Sequence, residues 1–140
     1  METATVVKRL RWIMVAVIFV DAINTLLGQP HAYWSHPSAA DEATPLVHFF
    51  AVRGCVVFIL YWLLYTAGAF FLVSLLPGRL ALTCVFIFIF PHYFGATWWW
   101  VYHWNYGSDA ATIYGIALSV FLVMVGFPGL KHFTSNDSNA

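Results

Sequence analysis

The chain is dominated by long apolar segments, and the longest of them, residues 46–76, contains a single charged side chain, Arg53. As a continuous helix this segment would reach about 46 Å, at about 1.5 Å per residue. The hydrocarbon core of a bilayer is only about 30 Å thick. Over the whole sequence 61% of the residues are apolar and 9% are charged, against about 45–50% and about 25% in soluble domains. The sequence therefore predicts an all-α integral membrane protein.

Four apolar segments predict a four-transmembrane-helix bundle. The predicted spans are residues 10–27, 45–76, 80–104 and 111–127, within a single membrane domain of residues 1–133. The polar residues 134–140 are expected to form a disordered cytoplasmic tail. The first segment also fits a secretory signal peptide, but Asp21 interrupts it, and the small residues at 38–40 lie well beyond its end.

The second span has a clear start and an excess of length. Thr44 suits the N-cap position and Pro45 the first helical position, where the missing amide hydrogen has no cost. The excess length requires a tilt, a bend or a protrusion, and the small residues 66–69 are the expected position of a bend. The short connection at 77–79 predicts that the second and third spans are antiparallel neighbours.

The basic residues outside the spans all fall on one side of this arrangement, the side that both termini share. They are Lys8, Arg9, Arg11, Arg79 and Lys131. The positive-inside rule therefore predicts a multi-pass protein of the cell membrane with an N-in/C-in topology, both termini being cytoplasmic. The outward loops, 28–45 and 105–110, then carry acidic residues and part of an aromatic belt, but neither Lys nor Arg.

The formal net charge is zero, so charge gives no indication of a nucleic-acid partner. The expected partners are the lipid bilayer and either another membrane protein or a second copy of this chain. Ala111, Gly115 and Ser119 form a ridge of small residues, which lets helices approach closely. Cys55 and Cys84 are predicted to lie at opposite depths and to remain thiols, since a disulfide needs Cα atoms within about 7 Å.

Ionisable side chains inside the spans are the first functional candidates, because each costs about 2.5–3.5 kcal/mol on insertion. Asp21 shares a helix face with Asn24 and Thr25. Arg53 is predicted at a similar depth, so an Asp21–Arg53 ion pair would offset both insertion costs. Such a pair is either the floor of an outward-facing pocket or a structural link between helices, and an arginine that reaches the headgroups is the remaining alternative.

Histidines are concentrated toward the predicted outer side. His92, Ala96, Trp99 and His103 follow one another at helical spacing and share one stripe of the third span. Pro91 removes a backbone hydrogen bond beside His92, a feature that can line a site. The alternative is that each histidine only forms a hydrogen bond with a neighbouring helix or with water. The residues predicted to line a polar and aromatic pocket are Asp21, Asn24, Glu42, His48, Arg53, His92, Trp99 and His103.

No cofactor is indicated by a specific motif. His31, His36, His48 and His103 are weak metal candidates, together with Glu42, because divalent sites take two or three histidine or carboxylate ligands. The spacing of His31 and His36 does not place them on one helix face. A haem bound by two histidines would require His48 and His103 on facing helices.

Three functions remain open. The first is a small accessory or ligand-binding subunit of a larger membrane complex, which binds a pigment, a quinone, a lipid or a neighbouring subunit in an outward-facing pocket. The second is an intramembrane enzyme acting on a lipid or another hydrophobic substrate, with Asp21, Glu42, His48 or His92 as acid and base. The third is an oligomeric transporter or channel, since four spans without a repeat are few for a monomeric transporter.

Overall fold

The computed structural model describes residues 3–103 and 107–126, and every regular element in these ranges is helical. The five α-helices are α1 (Thr3–Leu27), α2 (Pro45–Ala51), α3 (Cys55–Leu75), α4 (Gly78–Trp98) and α5 (Gly107–Gly126). Two short 3₁₀ turns, His31–Trp34 and Pro37–Ala39, lie between α1 and α2. A π-helical turn, Trp99–His103, extends α4.

Three of the described helical segments are long and apolar enough to cross a membrane. They are Ala4–Leu27, Cys55–Leu75 and Gly78–His103, whereas the apolar part of α5, Asp109–Met124, is shorter. This length and composition are those of a helical membrane protein. The predicted tail, 134–140, lies outside the described residues.

Helix α1 is the centre of the packing and contacts α3, α4 and α5, most extensively α4. Its buried stripe, Leu10, Met14, Val17 and Asp21, recurs every three or four residues, as one face of a helix requires. The facing stripe on α4 also recurs every three or four residues, and it consists of Ala81, Val85, Ile89, His92, Ala96 and Trp99.

The predicted second span is wrong as a single helix. Pro45 does begin a helix, with Thr44 at the N-cap, but that helix ends at Ala51 and α3 starts afresh at Cys55. The break lies at Gly54, whose φ of 104° is accessible to glycine and strained for other residues. Residues 66–69, where a bend was predicted, lie inside the unbroken α3. The excess length is therefore resolved near the start of the segment.

The first two residues of the small-residue ridge of α5, Ala111 and Gly115, lie against Tyr93 of α4. Tyr93 of α4 donates a hydrogen bond to the carbonyl oxygen of Ala111 over 3.1 Å. A Cβ atom at Gly115 would lie 2.5 Å from the Tyr93 hydroxyl oxygen, so a side chain there would be displaced. The third ridge residue, Ser119, is exposed. Cys55 and Cys84 are both free thiols, as predicted.

Replacement of Gly54 by alanine should destabilise the fold, because the backbone at this position lies in a region that is almost restricted to glycine. We expect Gly54→Ala to lower the free energy of unfolding in detergent micelles by about 1–3 kcal/mol. The matched control is Gly68→Ala in α3, where nothing lies within 4 Å of the added Cβ. It should raise the stability by about 0.5–1 kcal/mol. A neutral Gly54→Ala would show that α2 and α3 are not separated by this conformation.

Candidate functional site

A cavity of about 740 Å³ opens where the end of α1, the loop before α2, the first half of α3 and the end of α4 meet. We call it the polar cavity. Its lining comes from α1 (Asp21, Thr25), the loop and α2 (Asp41, Glu42, Ala43, Thr44, Leu46, Val47), α3 (Tyr61, Trp62, Tyr65) and α4 with its π-helical turn (Pro91, His92, Gly95, Trp98, Trp99, Tyr102, His103). Carboxyl groups and aromatic rings therefore line the same cavity.

A chain of three side chains forms the floor of the polar cavity. Asp21 Oδ2 lies 2.7 Å from His92 Nδ1, and His92 Nε2 lies 3.0 Å from the Tyr65 hydroxyl oxygen. Asp21 and His92 are only 7% and 9% exposed. With Asp21 ionised and the imidazole neutral, the carboxylate can only accept, so Nδ1 carries the hydrogen and Nε2 accepts from Tyr65. This arrangement links α1, α4 and α3 through hydrogen bonds.

The close approach of α1 to α4 depends on Gly95, one turn after His92. A Cβ atom at position 95 would lie 2.5 Å from Asp21 Oδ1. Such a separation is below van der Waals contact, so any larger residue would displace the carboxylate from His92. Further along, Trp99 Nε1 donates to Thr25 Oγ1 over 3.0 Å, and the Trp99 ring packs against Gly28. Two glycines thus permit the contact that the buried polar residues require.

The loop at the mouth of the cavity is fixed by Gln29, which is 6% exposed. Its amide oxygen accepts the Asp41 N–H over 2.8 Å, and its amide nitrogen donates to the Asp41 carbonyl over 3.2 Å and to that of Thr25 over 3.0 Å. These bonds tie the loop to the end of α1 and so hold Asp41 and Glu42 over the cavity. The Asp41 carboxylate then lies 3.5 Å from His103 Nε2.

Glu42 is the second carboxyl group at the mouth. Its Oε1 accepts the Thr44 N–H over 2.8 Å. Burial raises the pKa of Glu42, and repulsion from Asp21 and Asp41 adds to this effect, whereas the hydrogen bonds from Thr44 oppose it. Among the ion pairs found in the described chain, none includes Glu42. Within the described residues, its carboxylate is therefore stabilised by hydrogen bonds from Thr44 and not by an ion pair.

The structure brings together five of the eight predicted pocket residues: Asp21, Glu42, His92, Trp99 and His103. Asn24 is buried on the same face of α1 but does not line the cavity, and its Nδ2 has no hydrogen-bond partner among the described residues. His48 lies on α2, half-buried and outside the lining. The predicted stripe of α4 is buried at His92, Ala96 and Trp99, and it reaches the exposed His103 at the mouth.

The predicted Asp21–Arg53 ion pair is not formed. Arg53 is exposed, its guanidinium lies 3.4 Å from the centroid of the Phe49 ring, and it donates to the Phe49 carbonyl oxygen. The reason is the helix break, since residues 52–54 form the turn between α2 and α3 instead of continuing a span. Asp21 instead finds its partner in His92. The sequence predicts both residues as site candidates, but it does not predict that they pair with each other.

The histidine-based metal site has no support in the described residues, where no three His, Cys, Asp or Glu side chains converge to hold an ion. His31 and His36 are exposed in the loop, and His103 faces Asp41. For a haem, His48 and His103 would have to flank one cavity, but only His103 lines it.

Sequence reasoning missed Tyr61, Trp62 and Tyr65 of α3, as well as Gln29 and Gly95. Tyr61 and Tyr65 are four residues apart in the middle of an apolar span, where a phenol needs a hydrogen-bond partner. That spacing was the available signal for the aromatic wall. Gln29 and Gly95 gave no signal, because their roles depend on contacts with α1 and the loop.

Comparison with protein-family models, with curated proteins and with solved structures finds no match to this chain. The function is therefore argued from the geometry of the polar cavity.

Removal of both partners of the Asp21–His92 pair should cost less than the sum of the two single removals. We expect His92→Leu to lower the free energy of unfolding in micelles by about 3–5 kcal/mol, because it leaves a buried carboxylate without its partner. Asp21→Leu should cost about 1–3 kcal/mol. The double variant should recover at least about 1 kcal/mol of the sum of the two.

The matched control is Arg53→Met, which removes an exposed charge and should change the stability by less than about 1 kcal/mol. Strictly additive effects of Asp21→Leu and His92→Leu would contradict the pairing. A large loss in Arg53→Met would restore the alternative pairing with Asp21.

Proposed function

We propose that the chain is a small multi-pass protein of the cytoplasmic membrane that binds the polar end of an amphipathic molecule in the polar cavity, as a ligand-binding or accessory subunit of a larger membrane complex. The observation that carries this proposal is the cavity itself, with a buried hydrogen-bond network at its floor. Small-molecule sites typically have volumes of about 300–1,000 Å³, apolar and aromatic walls and a few convergent polar groups. The polar cavity has these properties.

The proposed topology places the cavity at the outer face. Arg9 and Arg79 lie near the first residues of α1 and α4, at the end of the bundle away from the cavity, as expected for a cytoplasmic side. Helix α5 has 20 residues, and a helix of that length spans about 30 Å. In this proposal α5 is the fourth span and returns the chain to the cytoplasmic side.

A lipid-soluble ligand is supported by the position of the opening. Trp98 and Tyr102, on the rim of the cavity, are 55% and 66% exposed. Trp and Tyr favour the boundary between acyl chains and headgroups. A ligand whose polar end enters the cavity can therefore leave its apolar part among lipid chains, with these rings at the boundary.

An intramembrane acid–base enzyme is the second candidate, and the Asp21–His92–Tyr65 chain favours it. A carboxylate that orients an imidazole, which in turn faces a hydroxyl, is an arrangement that can move a proton. In this interpretation Tyr65 would exchange a proton with a bound substrate and His92 would accept or return it. Chemical turnover of the retained molecule by wild type, with none by His92→Leu, distinguishes this candidate from a binding protein.

The binding proposal predicts that a small molecule remains with the purified protein. Native mass spectrometry of protein released from lipid nanodiscs should show one retained amphiphile. Trp98→Leu removes a ring that lines the cavity and should reduce retention at least about threefold, since burying such a ring contributes about 1 kcal/mol or more.

The matched control is Trp12→Leu, because Trp12 is similarly exposed, at 62%, but lies away from the polar cavity. It should leave retention unchanged. Absence of any retained molecule, or equal losses in the two variants, would contradict the proposal.

The topology predicts which positions are accessible from outside the cell. In a background of Cys55→Ala and Cys84→Ala, a cysteine placed at Ser38 in the exposed loop should react with a membrane-impermeant maleimide in intact cells. A cysteine placed at Thr5, exposed near the start of α1, should react only after the membrane is permeabilised. The reverse pattern would overturn the N-in/C-in arrangement.

A further inference from the structure

The charges around the polar cavity have one sign. Three carboxyl groups line it, Asp21 at the floor and Asp41 and Glu42 at the mouth, whereas neither Lys nor Arg is among the lining residues. The lining histidines, His92 and His103, each face one of these carboxylates. Glu42 is the carboxyl group left without a cationic partner in the described part of the chain. An anionic ligand would be repelled here, and a cation would be attracted.

The walls of the cavity are suited to a particular kind of cation. Tyr61, Trp62 and Tyr65 of α3 line one part, and Trp98, Trp99 and Tyr102 of α4 and its π-helical turn line another. The faces of Trp and Tyr rings attract cations, and organic ammonium groups are commonly bound between several such rings. A hydrated metal ion would not use these walls, and the described residues hold no cluster of metal ligands.

We infer that the polar cavity binds an organic ammonium group, which contacts the aromatic walls and offsets the charge of Glu42. This inference rests on the proposed function and specifies the chemical class of its ligand. The ammonium group belongs either to a free cation or to the headgroup of a choline-type lipid. The carboxylates and the rings then act together. The rings remove water from the methyl groups on the ammonium nitrogen, and the carboxylates supply the opposite charge.

The sign of the charge is tested with two probes of the same shape. Choline and 3,3-dimethyl-1-butanol differ in that the quaternary nitrogen is replaced by carbon. Binding is measured by tryptophan fluorescence or calorimetry, with the full chain in phosphatidylglycerol nanodiscs, whose lipid has no ammonium group. We expect choline to bind at least about tenfold more tightly than the alcohol.

Glu42→Gln supplies the test of the assigned residue, because the amide keeps an oxygen that can accept the Thr44 N–H while the charge is lost. It should weaken choline binding at least about fivefold. Asp109→Asn is the matched control, since Asp109 is exposed at the start of α5 and does not line the cavity. It should leave choline affinity unchanged.

The pH dependence of choline binding separates the contribution of Glu42 from that of the neighbouring titratable groups. The titratable groups that line the cavity with it are Asp21 of α1, Asp41 of the loop, Tyr61 and Tyr65 of α3, and His92, Tyr102 and His103 of α4 and its extension. The pKa of Glu42 is raised above its ordinary value of 4.5, so its carboxylate becomes protonated earlier than usual as the pH falls. Choline affinity should therefore fall on acidification, and the part of this fall due to Glu42 should be absent in Glu42→Gln.

The outcomes separate this inference from the proposed function. Equal affinities of the two probes, or a choline affinity that Glu42→Gln does not change, would overturn the inferred ammonium site. Either result would leave the proposed amphiphile pocket standing. Retention of an amphiphile without any choline binding has the same meaning. If neither probe binds and no amphiphile is retained, the proposed function fails as well. When choline does bind, phosphatidylcholine added to the nanodiscs identifies the source of the ammonium group. Displacement of choline by this lipid indicates a lipid headgroup, and no displacement indicates a free cation.

Discussion

A carboxylate within an apolar helix needs a partner, and the packing around Asp21 follows from that requirement. An isolated charge in hydrocarbon is costly, and the nearest group that can offset it is the imidazole of His92 at 2.7 Å. To bring these atoms together, α1 must lie directly against α4, and this contact is the most extensive between any two elements described. Gly95 makes this close approach possible. Toward the first residues of both helices, the buried stripes of α1 and α4 extend the contact.

The same pair determines where a ligand can bind. His92 presents its second nitrogen to Tyr65, so the network ends at a hydroxyl group that borders the cavity. Above it, Gln29 holds the loop so that Asp41 and Glu42 lie over the opening. The floor is thus buried and joined by hydrogen bonds, whereas the mouth holds a carboxylate, that of Glu42, which forms no ion pair within the described residues. In the proposed function this difference assigns structural stability to the floor and ligand recognition to the mouth.

The sequence predicted the helical class and the apolar segments, because hydropathy and helical spacing are local properties. The same spacing placed Asp21 with Asn24 and Thr25 on one face of α1, and His92 with Ala96 and Trp99 on one face of α4, and the structure buries both groups. The sequence also identified Asp21 and His92 as ionisable side chains within apolar spans, and hence as candidates for a functional site. It gave the wrong partner for Asp21, because depth along the membrane was the only coordinate available, and residues at equal depth need not face each other. The break at Gly54 turned Arg53 away, and a single glycine in an apolar run does not distinguish a break from a close helix contact. Contacts between distant segments, such as Gln29 with Asp41, were beyond local patterns.

The central claim is that His92 joins Asp21 to Tyr65, and the protonation of its two ring nitrogens tests it most directly. Nitrogen-15 NMR of histidine-labelled protein, with His92 assigned by the loss of its signals in His92→Leu, reports both nitrogens. The account predicts a hydrogen on Nδ1 whose signal changes in Asp21→Asn, and an Nε2 signal that changes in Tyr65→Phe. An imidazole that is protonated only on Nε2 and is insensitive to Asp21→Asn would contradict the account.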